Sequence, residues 1–157
     1  MPSHIEIHVS DEQLQAALAR LKSTFSDMTP VMRSIAAELL SQTEINFAHQ
    51  GRPRWVPLAA STIKRRTKAG SWPGMMLQVS GRLASSIQTH ADAKTASIGS
   101  NVVYAAIQQL GGQAGRGRNV RLPPRPFLPV TPDGQLLLVA SDAILGIIKS
   151  KLTSASG

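Results

Sequence analysis

Apolar residues recur with helical spacing in two long segments of the N-terminal half. The first predicted helix covers about residues 10–23, and its apolar face consists of Leu14, Leu18, Leu21 and Phe25. The second begins at Thr29-Pro30, a capping residue followed by proline at the first helical position, and continues to near His49. Two amphipathic helices that pack on each other are therefore expected.

The last predicted helix starts with the same signal, Thr131-Pro132. One face carries Leu137, Ala140, Ile144, Ile148 and Leu152, and the opposite side carries Leu136, Leu138, Val139 and Ile147. An apolar girdle this wide on a terminal helix predicts burial between subunits as well as within one. The predicted oligomer interface consists of Leu137, Ile144, Ile147 and Ile148.

Short alternating segments predict a small sheet. Residues 4–9 alternate polar and apolar, and 87–90 and 95–99 read as two strands joined by a turn at 91–94. Short helices are expected from Ser80 to Ile87 and over 102–110. The predicted fold class is α+β: a small antiparallel sheet packed against long amphipathic helices, with extended basic loops and a C-terminal helix, in a single domain spanning 1–157.

Two irregular segments interrupt this pattern within that domain. Residues 51–74 contain three prolines, three glycines and both tryptophans, with a short basic helix predicted after a cap at Ser61 or Thr62 and ending at Gly70. Residues 111–125 contain four glycines, two prolines and four arginines, which is typical of a flexible basic arm or hairpin. A long irregular loop in a compact domain is usually functional.

Positive charge is concentrated in the middle of the chain. Residues 51–125 hold twelve bases and one acid, a net charge of +11, whereas residues 1–50 carry −3 and residues 126–157 carry zero. Such a field attracts DNA, RNA, an anionic membrane or an acidic protein surface. The alternative is that these residues are solvated loop residues or pair with acids of neighbouring subunits. The candidate contact residues are Arg52, Arg54, Lys64, Arg65, Arg66, Lys68, Arg116, Arg118, Arg121 and Arg125.

The candidate chemistry is sparse, and no enzyme, metal site or cofactor is expected. Cysteine is absent, and Asp92 is the single acid in the basic middle, whereas a metal-dependent nuclease needs several converging carboxylates. His4, Glu6 and His8 share one strand face without a clear further ligand. The glycine-rich residues 111–117 lack the Gly-Lys-Ser/Thr ending of a phosphate-binding loop.

Other features bear on location and on the aromatic residues. No apolar run is long enough to span a membrane, and the N-terminus lacks the basic and apolar regions of a secretory signal, so an intracellular protein that does not bind membranes is expected. Trp55 and Trp72 flank the basic helix and could stack on bases. We expect instead that Trp55, Trp72, Tyr104 and Phe127 anchor irregular segments to the sheet.

A series of short motifs resembles, in order, the phage virion morphogenesis family. They are Trp55-Val-Pro-Leu58, Lys64-Arg-Arg66 after Thr62, Leu77-Gln-Val-Ser-Gly-Arg-Leu83, Ser86-Ile87, Ile98-Gly-Ser-Asn-Val102, Tyr104-Ala105, Ile107-Gln-Gln-Leu-Gly-Gly112 and Pro124-Arg-Pro-Phe-Leu128. The resemblance covers about residues 5–150 and is strongest over 55–128. It implies a late structural protein of tailed phages without enzymatic activity.

The same resemblance implies a role in tail completion and head-tail joining. A neck protein of this kind is expected to form a homo-oligomeric ring near the DNA channel, with non-specific contact to genome DNA and with other neck, tail or head-completion proteins as partners. Its expected location is the neck or tail end of the virion, and the host cytoplasm during assembly. A capsid assembly factor and a free, non-specific nucleic-acid-binding protein are the alternatives, and a small hydrolase or nuclease is a weaker third.

Overall fold

The computed structural model describes residues 5–6, 12–131 and 133–156. In chain order the elements are β1 (Ile5–Glu6), α1 (Glu12–Thr24), α2 (Thr29–His49), α3 (Ala60–Lys68), α4 (Arg82–Ser85), β2 (Ile87–Ala91), β3 (Ala96–Ser100), α5 (Ala105–Leu110), β4 (Gly112–Ala114), a 3-10 turn (Arg116–Arg118), β5 (Val120–Leu122) and α6 (Leu138–Ser156). The predicted α+β class is confirmed. The predicted strand residues 7–9 and the start signal residues Ser10 and Pro132 lie outside the described residues.

Helix α2 is the central element because its two halves belong to two different apolar clusters. Its N-terminal half, with Val31 and Ile35, shares one apolar cluster with α1 and α6. Within that cluster α1 and α2 each pack on α6 and only marginally on each other, so the predicted direct packing of the first two helices is wrong: the apolar C-terminal helix lies between them. Its C-terminal half places Phe47 in a second cluster that includes Ile98 of the sheet and Phe127 of the segment before α6. A single long helix therefore joins the helical layer to the sheet layer.

The main sheet has three antiparallel strands in the order β1-β3-β2. The β2–β3 hairpin pairs Ile87 with Ser100 and Ala91 with Ala96, as the alternating segments predict. The Asp92 carboxylate closes the connecting turn by accepting hydrogen bonds from the backbone N–H groups of Lys94 and Thr95, each at 2.8 Å. Those N–H groups hold the pKa of Asp92 below its ordinary value. Asp92 is thus a turn residue.

The predicted arm over 111–125 is a hairpin, in which β4 pairs with β5 in an antiparallel two-stranded sheet. It follows α5 through Gly111, which has a φ of 72° and lies so close to the returning chain that a Cβ would be 2.7 Å from the nitrogen of Pro124. Only glycine fits both the left-handed backbone and the close approach. The bend at Gly111 brings the hairpin back toward the end of α5.

Three predicted helix starts are wrong in detail, each for its own local reason. Helix α2 already includes Thr29, the N-cap position is occupied by Met28, and no side chain caps the helix from that position. The Asp27 carboxylate, one residue earlier, accepts from the N–H of Thr29 at 3.0 Å, and this bond lowers the pKa of Asp27. Helix α3 begins at Ala60, before the predicted caps Ser61 and Thr62, and has no side-chain cap.

The third difference concerns the segment before α6. Thr131 does not start a helix, because its hydroxyl group hydrogen-bonds Asp133 and its backbone N–H donates to Gln135 at 2.7 Å. These bonds close a turn that pairs Val130 with Leu136, and α6 begins only at Leu138. The competing local hydrogen bonds of threonine and aspartate explain why a helix start signal ends in a turn here.

Over the described ranges, no helix is both long and apolar enough to cross a membrane.

Candidate functional site

The predicted basic contact residues divide into two groups, and the first is turned inward. Arg125 is only 5% exposed. Its guanidinium donates to the carbonyl oxygens of Val56 and Pro57 at 3.0 and 3.1 Å, and burial lowers its pKa. Arg125 therefore ties the segment after β5 to the loop after Trp55, which leaves little of its charge at the surface of the chain.

Arg52 and Arg66 are half-buried and serve similar internal roles. Arg52 donates to the side-chain oxygens of Asn46 and Gln42 at 2.7 and 2.9 Å and to the Gln42 carbonyl at 2.9 Å. Arg66 donates to the carbonyl of Met76 at 2.9 Å. Burial lowers the pKa of both guanidinium groups, which remain cationic. These two arginines hold the 51–76 segment against α2 and α3.

The second group is exposed. It consists of Arg54, Lys64, Arg65, Lys68, Arg116 and Arg121. Lys64, Arg65 and Lys68 lie on α3, and Arg116 and Arg121 lie on the β4–β5 hairpin. Arg118 is in the same hairpin, and its side chain is outside what the structure describes. Among the described residues, no lysine or arginine forms an ion pair with an acid; His90 and Asp92 form the pair that is present. The exposed cations thus have no internal counter-charge.

Sequence reasoning missed the polar side chains that hold residues 126–129. This irregular segment is buried, and a buried backbone needs hydrogen-bond partners. Gln109 Oε1 accepts from the N–H groups of Phe127 and Leu128, each at 3.0 Å, and Asn46 Nδ2 donates to the Phe127 carbonyl at 2.9 Å. One indication of them is present in the sequence: Asn46 lies at a position of the second predicted helix that its apolar spacing places in the core.

The aromatic residues anchor irregular segments, as predicted. Trp55 is 5% exposed, and its Nε1 donates to the carbonyl of Pro126 at 2.8 Å. Phe47 of α2 contacts Trp55 edge to face and stacks on Phe127, with ring centroids 6.1 and 5.5 Å apart. Trp72 and Tyr104 pack at the margin of the same cluster. The tryptophan flanking α3 on its N-terminal side is consequently a core residue and presents no stacking surface.

The apolar girdle of α6 divides between the core and the surface. Ile144 and Ile148 are 4% and 0% exposed, because they pack against α1 and α2 of the same chain. Ile147 is half-buried, as is Leu137, which precedes the helix. The exposed apolar residues at the start of α6 are Leu138 and Val139, at 76% and 49%. Any contact through this helix therefore has its largest apolar area in the first turn.

The described residues hold no group of three or more metal-ligating side chains. His4 and His8 lie outside them, as does the side chain of Glu6. The available acids occupy turns and helix surfaces, where Asp92 and Asp27 already accept backbone hydrogen bonds. The arrangement of the site is therefore two exposed basic surfaces, on α3 and on the hairpin, fixed to the core by inward-facing arginines.

Sequence comparison decides the family. A model of the phage virion morphogenesis family matches residues 9–152. The chain belongs to this family. It is 39% identical over 132 residues to the "Mu-like prophage FluMu G protein 2" of Haemophilus influenzae, which covers 83% of this chain and 88% of the relative. It is 34% identical over 140 residues to the "Putative capsid assembly protein G" of Escherichia phage Mu, covering 86% and 89%. No solved structure gives a significant match.

As a member of the virion morphogenesis family, the chain is a protein of the phage particle or of its assembly. The family motifs now have physical explanations in this chain. Trp55, Phe127 and Leu128 lie in the core, whereas the exposed cations are Lys64, Arg65 and Lys68 of α3 and Arg116 and Arg121 of the hairpin. The motifs that carry the resemblance are thus mostly those that hold the irregular segments in place.

Proposed function

We propose that this protein is a non-enzymatic subunit of a ring at the phage neck, where it completes the tail end and joins it to the head. The observation that carries the proposal is the set of exposed, unpaired cations on α3 and the hairpin, in a chain of the virion morphogenesis family. A neck ring surrounds or closes the DNA channel, so its wall lies next to phosphates or next to acidic protein surfaces.

Non-specific electrostatics suits this position. Exposed lysine and arginine side chains reduce the repulsion between a protein wall and DNA and release condensed counterions without reading base sequence. The hairpin extends two of the cations, Arg116 and Arg121, on a two-stranded element that packs chiefly on the end of α5. Charge at that point can contact a polyanion while the core stays unchanged.

Ring formation requires a contact that repeats between identical subunits. Leu138 and Val139 provide an exposed apolar area at the start of α6, adjacent to the half-buried Leu137. Burial of such side chains against a neighbouring subunit contributes about 1.5–3 kcal/mol for each fully buried residue. The partners in this proposal are copies of the same chain and the other proteins of the neck, tail end or completed head.

A role in capsid assembly is the second candidate, because one relative carries the words "capsid assembly" in its name. Deletion of the gene from its phage or prophage separates the two roles. Deletion of a neck protein that completes the tail end is expected to leave DNA-filled heads and separate tails that remain unjoined in electron micrographs, and a plasmid-borne copy should restore joined particles. Absent or malformed heads would favour capsid assembly, and normal joined particles would contradict both roles.

Neutralising the hairpin tests the use of the exposed cations. The double variant Arg116→Gln/Arg121→Gln should keep the wild-type thermal stability, because both side chains are exposed. Loss of two phosphate contacts is expected to make the negative slope of log affinity against log salt concentration for duplex DNA shallower by about 2. The measurement is fluorescence anisotropy with labelled duplex DNA over a range of salt concentrations, together with the infectious yield from complementation.

The matched control is Arg20→Gln/Lys22→Gln, which removes the same charge from exposed positions on α1, in the acidic part of the chain. We expect this control to change neither the slope nor the yield. Equal effects of the two double variants would contradict a specific role for the hairpin. Sub-micromolar DNA binding by a monomeric chain would favour the free nucleic-acid-binding alternative.

A further inference from the structure

A small recessed cleft lies between α3, α5 and the segment that leads into α4. Its volume is about 160 Å³, roughly the space of five water molecules and enough for one amino-acid side chain. Met76, Leu77 and Leu83 provide apolar lining, and Arg66, Tyr104 and Gln108 provide polar lining. This mixed character favours a ligand that has both a carbon chain and a polar end.

Arg66 gives the cleft a positive charge without a counter-charge. One guanidinium nitrogen donates to the carbonyl of Met76, which leaves most of its five N–H groups for another acceptor. No acid is among the lining residues. Burial, and then repulsion by Arg65, lower the pKa of Arg66, and the charge of Arg66 in turn lowers the pKa of Arg125. An anionic group in the cleft would relieve this clustering of positive charge.

Arg66 requires a hydrogen-bond acceptor from a ligand, whereas Gln108 requires a donor. Its side-chain oxygen is buried, and within the described ranges no donor hydrogen-bonds it. Most buried polar groups in proteins have a partner. The Gln108 oxygen is covered in the free chain, so a ligand N–H group can supply the missing partner only after a rotation of the Gln108 amide turns Oε1 toward the cleft. Arg66 thus offers donors to the cleft directly, and Gln108 offers an acceptor once its amide has turned.

We propose that this cleft binds a glutamate residue of a neighbouring virion protein, presented on an extended segment of that protein. The glutamate carboxylate accepts from the Arg66 guanidinium, its methylene groups contact Met76, Leu77 and Leu83, and a backbone N–H of the segment donates to Gln108 Oε1. The proposal rests on the function proposed above, and it assigns an acidic protein, in place of DNA, to this part of the basic region.

The chemistry of the lining distinguishes a peptide from DNA. A phosphodiester has acceptors only, so it can satisfy Arg66 but would leave Gln108 Oε1 without a donor. The apolar part of the lining also matches the methylene groups of glutamate and gives no advantage to a phosphate. A peptide segment carries the carboxylate, the carbon chain and the N–H donor in one molecule.

Two short peptides of matched shape test the proposal. The probes are N-acetyl-Leu-Glu-Leu-amide and N-acetyl-Leu-Gln-Leu-amide, added to the full chain with isotopically labelled methyl groups. In NMR spectra the glutamate peptide should shift the methyl signals of Met76, Leu77 and Leu83 saturably, with a Kd at least about tenfold lower than that of the glutamine peptide, because a charge-assisted hydrogen bond to Arg66 is lost in the latter.

Variants at the cleft provide the controls. Gln108→Leu should raise the Kd of the glutamate peptide by about tenfold, because the backbone N–H of the peptide loses its acceptor. Arg65→Gln removes an exposed charge outside the lining and should change the affinity by about twofold at most. Arg66→Gln also removes the bond to Met76, so Gln108→Leu remains the deciding variant if Arg66→Gln fails to fold.

Three results would overturn the assignment: equal binding of the two peptides, comparable shifts of the same methyl groups by dimethyl phosphate, or an unchanged affinity in Gln108→Leu. Comparable shifts by dimethyl phosphate would return the cleft to the DNA-facing surface. If neither peptide binds to the cleft while deletion of the gene still leaves heads and tails unjoined, the proposed occupant of the cleft is wrong and the proposed neck function is retained. If deletion leaves joined particles, the proposed function itself fails.

Discussion

Replacement of Phe127 by alanine is expected to lower the free energy of unfolding by about 3–5 kcal/mol, the usual cost of removing a buried aromatic ring. Phe127 has no exposed surface, and its ring stacks on Phe47 at a centroid distance of 5.5 Å. For a domain of this size the loss corresponds to a decrease in Tm of roughly 10 °C. Urea and thermal unfolding followed by circular dichroism measure the effect.

The control for this variant is Val103→Ala, because Val103 is 69% exposed. Its free energy of unfolding should stay within about 0.5 kcal/mol of the wild type. Phe127→Leu keeps part of the volume and should lie between the two. A Phe127→Ala protein as stable as the Val103→Ala protein would mean that residues 126–129 do not form part of the core.

The motif Pro124–Leu128 illustrates how far the sequence predicts the site. Its apolar residues predict a return to the core, and Phe127 and Leu128 are indeed fully buried. The pattern does not distinguish Arg125 from Arg121, because both lie in the same basic segment. The difference arises from tertiary structure: the carbonyls of Val56 and Pro57 come within hydrogen-bond distance of Arg125, although they are almost seventy residues away in the chain.

The helices and strands were more predictable than their ends. The apolar spacing persists from Thr29 to near His49 and correctly predicts helix α2 over this range. Its N-cap position, however, is Met28 and not Thr29, the N–H of Thr29 donates to Asp27, and the Thr131 start signal forms a turn. Caps depend on single hydrogen bonds between near neighbours, so one competing side chain is enough to move them. The apolar spacing of a helix depends on many residues, so a single competing side chain changes it little.

Asn46 is a polar residue among the apolar positions of α2. Its position in the sequence shows that it is unusual, but the apolar spacing does not show which groups it hydrogen-bonds. It lies on the apolar stripe of α2, is 1% exposed, and connects α2 with two distant segments. Its Nδ2 donates to the carbonyls of Phe127 and Leu128, and its Oδ1 accepts from Arg52 Nε. One amide thus fixes the buried segment before α6 and orients a basic residue of the 51–74 segment.

Replacement of Asn46 by leucine, which has a similar volume, is expected to lower the free energy of unfolding by about 2–3 kcal/mol. The Phe127 carbonyl would be left buried without a donor among the described residues, which is the costly part of the change. The Leu128 carbonyl would keep its bond from the N–H of Val130 at 2.7 Å, and half-buried Arg52 would keep its bonds to Gln42. Chemical unfolding of the full chain measures the loss.

The matched control is Asn101→Leu, the same replacement at an exposed asparagine. It should change stability by no more than about 0.5 kcal/mol. Because Asn46 also orients Arg52, Asn46→Leu should additionally make the 51–74 segment more susceptible to limited proteolysis, which Asn101→Leu should not. Equal stability and equal proteolysis of the two variants would show that the hydrogen bonds of Asn46 do not hold the basic segment to α2.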